Sequence, residues 1–218
     1  MKTAILTGFE VFGRYAVNPT EVLVRSLQGT VLADHHIHGV VFSNTIHSPD
    51  VEVDHGRELV EVAVAKNASA IISLGLASLA VGPRVETQCL NWVENDRYCT
   101  PYENHKPVSE VFEAKQRLQV PFHMWDLAGF FMKLSMAGIP YEVSNDAGAY
   151  CCNALMFRTL VAMRIKSLDV PYIFIHVPCT EEAIVGIPDF DRKRKILFSQ
   201  ELLTVVVKKL LESYYEYQ

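Results

Sequence analysis

The stretch ASAIISLGL, residues 68–76, is a short apolar run without a charged side chain. A run of this length and character predicts a strand that is buried on both faces, as in the centre of a parallel sheet. Two similar runs lie far from it along the chain, TAILTG at residues 3–8 and PYIFIHV at residues 171–177. Three buried strands of this kind indicate an α/β protein.

Helix-forming segments lie between these runs. Pro19 follows Asn18, a good N-cap residue, and predicts a helix that begins there. Apolar residues at helical spacing predict four more helices, at residues 49–67, 125–137, 150–165 and 191–215. Residues 30–42 and 141–144 read as further strands. This alternation predicts a single domain over residues 1–218, a three-layer sandwich with a mostly parallel sheet and helices on both faces.

Composition argues against several classes of protein. The 218 residues are 50% hydrophobic, enough for a sizeable core, and the net charge of −5 comes without a long Lys/Arg run, so nucleic acid is not an expected partner. No segment approaches the roughly 20 apolar residues of a membrane span, so we expect no membrane partner. Five cysteines, an odd number, without a secretion signal favour reduced thiols and a cytoplasmic location.

Motifs for metals and cofactors are also missing from the sequence. The cysteines form no CxxC pair, and the histidines of residues 35–38 have no further ligand at ligand spacing. The segment GFEVFG, residues 8–13, is not the GxGxxG fingerprint of dinucleotide-binding proteins. We therefore expect neither a metal nor a cofactor.

Reactive side chains lie near the ends of the predicted strands, where sites form in parallel α/β sheets. Glu86 follows the strand at 68–76, and His176 lies at the end of the strand at 171–177. Cys151 and Cys152 stand side by side at the predicted start of a helix. A thiol there, with an imidazole as base and a carboxylate to orient it, makes a nucleophilic triad. Taken singly, each residue also fits an ordinary structural role, and spacing does not decide between them.

Four segments in combination resemble the pyroglutamyl peptidase type I family (pyrrolidone-carboxylate peptidases), which are cysteine peptidases. TGFEVFG followed by Asn18 and Pro19 is similar to the family's TGF(E/D)PFG…NP. SNDAGAYCCN is similar to its SxxAGxYxCN, FIHVP to its histidine segment, and RVETQCLN to its TPERVAIN. The similarity runs from the N-terminus to about Pro178.

The resemblance implies a role for each residue of the trio. Cys152 would be the nucleophile, His176 the general base and acid, and Glu86 the carboxylate that orients the imidazole. Cys151 stands where the family has an ordinary apolar residue, so it is expected to pack. The residues implied in substrate binding are Phe9 and Phe12, which would sandwich a pyrrolidone ring, Asn18, which would hydrogen-bond the lactam, Leu76 and, near the oxyanion, Arg97. The resemblance also implies a homo-oligomer, often a tetramer.

One loop departs from the family pattern, and it leaves three functions open. The family's GQAGGR is GLASLA at residues 75–80, so Ser78 and Leu79 replace two glycines and can reshape the pocket. The first function is a cysteine exopeptidase (omega-peptidase) that removes an N-terminal pyroglutamyl residue from peptides or amides through a thioester. The second is a related thiol amidase of different small-amide specificity. The third is a non-catalytic small-molecule binding protein, which would not need the trio.

Overall fold

A sheet of seven strands forms the centre of the described part of the chain. The computed structural model describes residues 1–50, 52–188, 190 and 196–214. In chain order the strands and α-helices are β1 (Lys2–Phe9), α1 (Pro19–Leu27), β2 (Val31–Leu32), β3 (His35–Phe42), α2 (His55–Ala65), β4 (Ala70–Leu76), β5 (Arg84–Glu86), β6 (Gln88–Leu90), β7 (Arg117–Gln119), α3 (Leu127–Met136), β8 (Glu142–Ser144), α4 (Cys151–Lys166), β9 (Tyr172–Val177) and α5 (Gln200–Leu211).

The three predicted apolar runs occupy the middle of this sheet. Its strand order is β2-β3-β1-β4-β9-β5-β8, and β3, β1, β4 and β9 are parallel. At one edge β2 pairs antiparallel with β3, and at the other β5 runs antiparallel to β9 and parallel to β8. The predicted mostly parallel sheet is therefore confirmed. Strands β6 and β7 form a separate antiparallel pair that the sequence did not predict.

Alternate residues of the central strands contact different helices. Ile5 and Ile71 belong to one core cluster, together with residues of α2 and α4. Their neighbours Leu6 and Ile72 belong to a second cluster, with residues of α1, α3 and α5. Successive side chains of a strand point to opposite faces, so both faces are covered by helices. This arrangement confirms the predicted three-layer α/β sandwich.

The observed boundaries differ from the predicted ones in three places. The strand predicted at 30–42 is a hairpin, because Ala33 and Asp34 adopt positive φ angles of 46° and 63° and turn the chain. The helix predicted at 49–67 begins only at His55, where the side chain of Asp54 caps it. In the predicted tail helix, residues 196–199 and 212–214 are not helical. Residues 191–195 and 215 of that prediction lie outside the described residues.

Helix α1 begins as predicted. Asn18 Oδ1 accepts a hydrogen bond from the backbone N–H of Thr20, and Pro19 occupies the first helical position. Among the helices of the described residues, none has both the length and the apolar character that crossing a membrane requires.

Candidate active site

Neighbouring strands bring Glu86 and His176 together. Strand β5 runs antiparallel to β9 with Glu86 opposite Phe174, so Glu86 and His176 are diagonal neighbours on one face of the sheet. His176 Nδ1 donates to Glu86 Oε1 over 2.8 Å. The sequence placed Glu86 in the segment after β4, among the carboxyl ends of parallel strands. It lies instead on a short strand of opposite direction, and it reaches the imidazole through this diagonal contact.

The carboxylate of Glu86 is fully buried behind the imidazole. Glu86 has no exposed surface, whereas His176 keeps 6% of its surface exposed. Glu86 Oε2 has no hydrogen-bond partner among the described residues. The hydrogen bond from His176 is therefore the main interaction that offsets the cost of burying the negative charge of Glu86. Glu86 therefore acts on the site through His176.

Cys152 is the second residue of α4. The N-cap residue, Tyr150, makes no side-chain capping hydrogen bond, so the first backbone N–H groups of the helix remain available. Asn153 anchors this end of the helix, since its Oδ1 accepts from Leu90 N over 2.7 Å and its Nδ2 donates to the carbonyls of Leu90 and Trp92. The positive end of the helix dipole thus faces the Cys152 sulfur, which favours the thiolate.

The surroundings of Cys152 and His176 favour a charged pair. A hydrogen bond from the Cys151 thiol and the nearby imidazole of His176 lower the pKa of Cys152 to about 5, although burial opposes them. Burial lowers the pKa of His176, but the charges and hydrogen bonds of Cys152 and Glu86 outweigh it and raise that pKa to about 9. Near neutral pH the favoured state is therefore a thiolate beside an imidazolium, the reactive form of a cysteine nucleophile.

Gly75 of β4 leaves the space in which the sulfur of Cys152 and the imidazole of His176 lie. It lies beside His176 in the parallel pairing of β4 and β9. A Cβ atom at Gly75 would stand 2.7 Å from Cys152 Sγ and 3.0 Å from His176 Cδ2. The thiol thus packs directly against the backbone of β4, and only glycine leaves room for it.

We expect Gly75→Ala to displace the sulfur or the imidazole and so to raise the pKa of Cys152. A rise of one unit slows alkylation of Cys152 by iodoacetamide about tenfold at a pH below the wild-type midpoint. Peptide mass spectrometry measures the rate, and thermal unfolding shows whether the variant is folded. A folded variant that is alkylated at the wild-type rate would contradict the close contact.

Cys152 and His176 open into a cavity of about 300 Å³. The same cavity is lined by all five residues that the resemblance implies for substrate binding, namely Phe9, Phe12, Asn18, Leu76 and Arg97. A larger cavity of about 600 Å³ lies beside α4, with residues 47–48, 52–54 and 106–110 in its wall, but no cysteine is among its described lining residues. The smaller cavity is the one that contains the reactive pair.

The residues of the cavity wall are held by the loops around them. Asn18 Oδ1 is occupied by Thr20, and one N–H of its Nδ2 donates to the carbonyl of Glu10 over 3.1 Å. Phe12 meets the ring of Tyr98 edge-on with 5.4 Å between centroids, and the guanidinium of Arg97 lies 5.2 Å from the centroid of the same ring. The wall is therefore preorganised and combines aromatic rings with polar side chains.

Several lining residues were missed by the sequence analysis: Tyr15, Asn44, Asn95, Tyr98, Ala147 and Tyr150. Asn44 carried a usable signal, since it follows the end of β3 by two residues. Asn95 and Tyr98 lie in a long irregular segment without periodicity, which gave no signal. Cys151 is buried as expected, but it also lines the cavity, with its Sγ 3.6 Å from Asn44 Oδ1.

Comparisons with known proteins agree with this geometry. The model of a family described as pyroglutamyl peptidase matches residues 2–206. A pyrrolidone-carboxylate peptidase of Oceanobacillus iheyensis is 31% identical over 198 residues, which cover 88% of this chain and 93% of that protein.

Solved structures show the same likeness. The pyrrolidone carboxyl peptidase of Thermococcus litoralis superimposes with a TM-score of 0.78 at 25% identity, covering 97% of this chain and 92% of that one. A mutant pyrrolidone carboxyl peptidase of Pyrococcus furiosus gives a TM-score of 0.79 at 25% identity and covers 97% of each chain. With its sequence matched from residue 2 to residue 206, the chain belongs to the pyroglutamyl peptidase family.

Proposed function

We propose that this protein is a cysteine exopeptidase that removes an N-terminal pyroglutamyl residue from peptides or amides. The observation that carries the proposal is the cavity in which Cys152 and His176 face the five residues implied in recognising a pyrrolidone ring. Relatives named pyrrolidone-carboxylate peptidase, matched over most of their length, support the same activity. Membership of a peptidase family favours an enzyme over a non-catalytic binding protein.

The reaction follows from the charged pair. The sulfur of Cys152 attacks the pyroglutamyl carbonyl carbon, and the negative charge that develops on oxygen is stabilised by backbone N–H groups at the start of α4. The imidazolium of His176 gives its proton to the leaving amine as the C–N bond breaks, which leaves a thioester on Cys152. His176, now neutral, takes a proton from water, and the hydroxide equivalent releases pyroglutamate and restores the thiolate.

Glu86 keeps the imidazole in the orientation that these steps need. Its hydrogen bond to Nδ1 directs Nε2 of His176 towards the sulfur and the leaving group. The buried carboxylate also stabilises the imidazolium, because opposite charges attract strongly away from water.

Recognition of the lactam rests on the aromatic and amide side chains of the cavity wall. We propose that Phe9 and Phe12 pack on the faces of the ring and that the second N–H of Asn18 donates to the ring carbonyl. The backbone at Leu76 would bind the ring amide, and Arg97 at the rim would stabilise the developing oxyanion. No carboxylate is among the described residues that line the cavity, so an N-terminal ammonium would lose its hydration without gaining a partner.

Two fluorogenic substrates test the proposal. One is a pyroglutamyl amide and the other a prolyl amide, and both carry the same dye as the leaving amine. We expect kcat/KM for the pyroglutamyl amide to be at least about 1,000-fold higher, because a site built to hydrogen-bond a polar group rejects an analogue that lacks it. The variant Cys89→Ala, which alters a buried thiol outside the cavity, is the matched control and should keep this ratio. Equal hydrolysis of both substrates, or of neither, would count against pyroglutamyl specificity.

The altered loop supports one second candidate, a related thiol amidase for a different small amide. Ser78 hydrogen-bonds with Tyr15 at the cavity wall, whereas the family pattern has glycine at that position. Such an enzyme would leave the pyroglutamyl amide intact while Cys152 is still alkylated quickly near neutral pH. A panel of small lactam and primary amides would then identify its substrate.

We further propose that residues 1–218 act as one peptidase domain in the cytoplasm, as a homo-oligomer, on a peptide or small amide and not on nucleic acid or membranes. None of the five cysteines, all of which lie in described residues, forms a disulfide, as suits a reducing compartment. The family resemblance supports a tetramer, and sedimentation equilibrium measures the oligomeric state. A monomer at micromolar concentration would refute that part.

A further inference from the structure

The thiol of Cys151 lies between two acceptors. Cys151 is 6% exposed and belongs to the core cluster under α4, which matches its expected packing role. Its Sγ lies 3.6 Å from Asn44 Oδ1 on the cavity wall and also within hydrogen-bond reach of the Cys152 sulfur. A single S–H can donate to one of them at a time.

Asn44 is held in place for this contact. Its Nδ2 donates to the carbonyl of Glu10 over 3.0 Å, which turns Oδ1 towards Cys151. The backbone carbonyl of Asn44 accepts from the hydroxyl of Tyr150 over 3.4 Å, and Tyr150 directly precedes the two cysteines. The loop after β3 and the first turn of α4 are thereby tied together around the thiol.

We propose that Cys151 is a positioning residue whose S–H donates to the Cys152 sulfur while that sulfur is a thiolate and turns to Asn44 Oδ1 while it is acylated. The inference rests on the proposed role of Cys152 as the nucleophile. During attack, the hydrogen bond holds the thiolate ready at the cavity. As the thioester is hydrolysed, the S–H turns back to Cys152 and stabilises its sulfur while the C–S bond breaks and negative charge returns to it.

The charges around the two sulfurs favour a Cys151 thiol that keeps its proton and therefore remains a hydrogen-bond donor. Burial and the neighbouring Cys152 sulfur raise the pKa of Cys151 well above its ordinary value, so Cys151 keeps its proton while Cys152 loses its own. Among the described residues, the titratable groups next to Cys152 are Cys151 and Tyr150 on its own turn, His176 and Tyr172 on β9, and Glu86 on β5. Arg97, Tyr15 and Tyr98 line the same cavity. Burial raises the pKa of Tyr150 and Tyr172 well above their ordinary value, so neither hydroxyl titrates in the range in which Cys152 ionises.

The pH dependence of Cys152 alkylation tests the donor. Iodoacetamide reacts with the thiolate, so its rate rises as the pH passes the pKa of Cys152, and peptide mass spectrometry assigns the modified residue. In Cys151→Ala we expect the midpoint to rise by about one pH unit, which is about a tenfold loss of thiolate below the midpoint. In Cys151→Ser, whose hydroxyl can still donate, the midpoint should stay close to the wild-type value, as it should in the control Cys89→Ala.

Two results would overturn the inference. One is an unchanged midpoint in Cys151→Ala, and the other is an equal rise in Cys151→Ala and Cys151→Ser, which would trace the effect to packing. The assay needs no peptide substrate, so its outcome is independent of pyroglutamyl specificity. A shifted midpoint in a protein that fails to cleave the pyroglutamyl amide would support this role of Cys151 while refuting the proposed substrate.

Discussion

Cys152→Ser is expected to lower kcat/KM for a pyroglutamyl amide at least about 10,000-fold, in line with the loss of a nucleophile from other triads. The surroundings of Cys152 stabilise a thiolate, and a serine hydroxyl does not ionise under the same influences. Its shorter side chain also leaves the reacting atom farther from the substrate carbonyl. The measurement is steady-state hydrolysis of the fluorogenic amide by equal amounts of folded wild type and variant.

The control for this prediction is Cys89→Ala. Cys89 is 2% exposed, belongs to the same core cluster as Cys151, and lies outside the cavity, so the loss of its thiol should leave hydrolysis unchanged. Substantial hydrolysis by Cys152→Ser would show that another group attacks the substrate. Fast alkylation of Cys151 in that variant would identify its neighbour as the replacement.

Glu86→Gln is expected to lower kcat about 100- to 10,000-fold with little change in KM, since the corresponding change in a serine protease costs about 10,000-fold. The amide nitrogen of glutamine can donate to His176 Nδ1, which favours the neutral tautomer with its proton on Nε2. The nitrogen that faces the sulfur then cannot accept a proton from the thiol or from water. The variant also loses the carboxylate that helps to raise the pKa of His176. Less imidazolium is then present near neutral pH to protonate the leaving amine.

The matched control is Glu21→Gln on the surface of α1. Glu21 pairs with Arg25 over 2.9 Å, and an exposed pair of this kind contributes about 0.3–0.5 kcal/mol to stability, so activity should be unchanged. The two variants change the same chemical group, one buried in the site and one on a helix surface. Equal kcat values for Glu86→Gln and wild type would mean that other contacts suffice to orient His176.

Much of the fold could be predicted because the central strands carry an unambiguous signal. Ile71 and Ile72 contact helices on opposite faces of the sheet, so both faces of the strand are buried. A strand of this kind is a continuous apolar run in the sequence. Strand β5 was not predicted, because its three residues include two charged ones, Arg84 and Glu86, which read as solvated surface. Burial of Glu86 depends on its pairing with β9, a contact between residues about 90 positions apart.

The candidate site, like the fold, could be predicted only in part from the sequence. The trio and its five companions were identified by resemblance to a family, and all but the fully buried Glu86 line one cavity. That these residues lie close together in space could not be derived from their spacing, since triad partners are distant in sequence. The second contact of Cys151 was missed because an adjacent thiol in an apolar helix reads as packing, and the acceptor, Asn44, lies on a loop more than 100 positions away.

The antiparallel edge of the sheet makes catalysis sensitive to local opening. Strand β5 joins β9 through only three residue pairs, and β8 is attached to the sheet through β5. Strand β8 is the outer of the two and has an exposed Val143, whereas Val85 and Glu86 of β5 are fully buried, so β8 is expected to open at a lower free energy than the central strands. Once β8 has opened on heating, β5 would be held by β9 alone and Glu86 would orient the imidazole less firmly. Activity would then fall while the rest of the protein is still folded, and it would return on cooling.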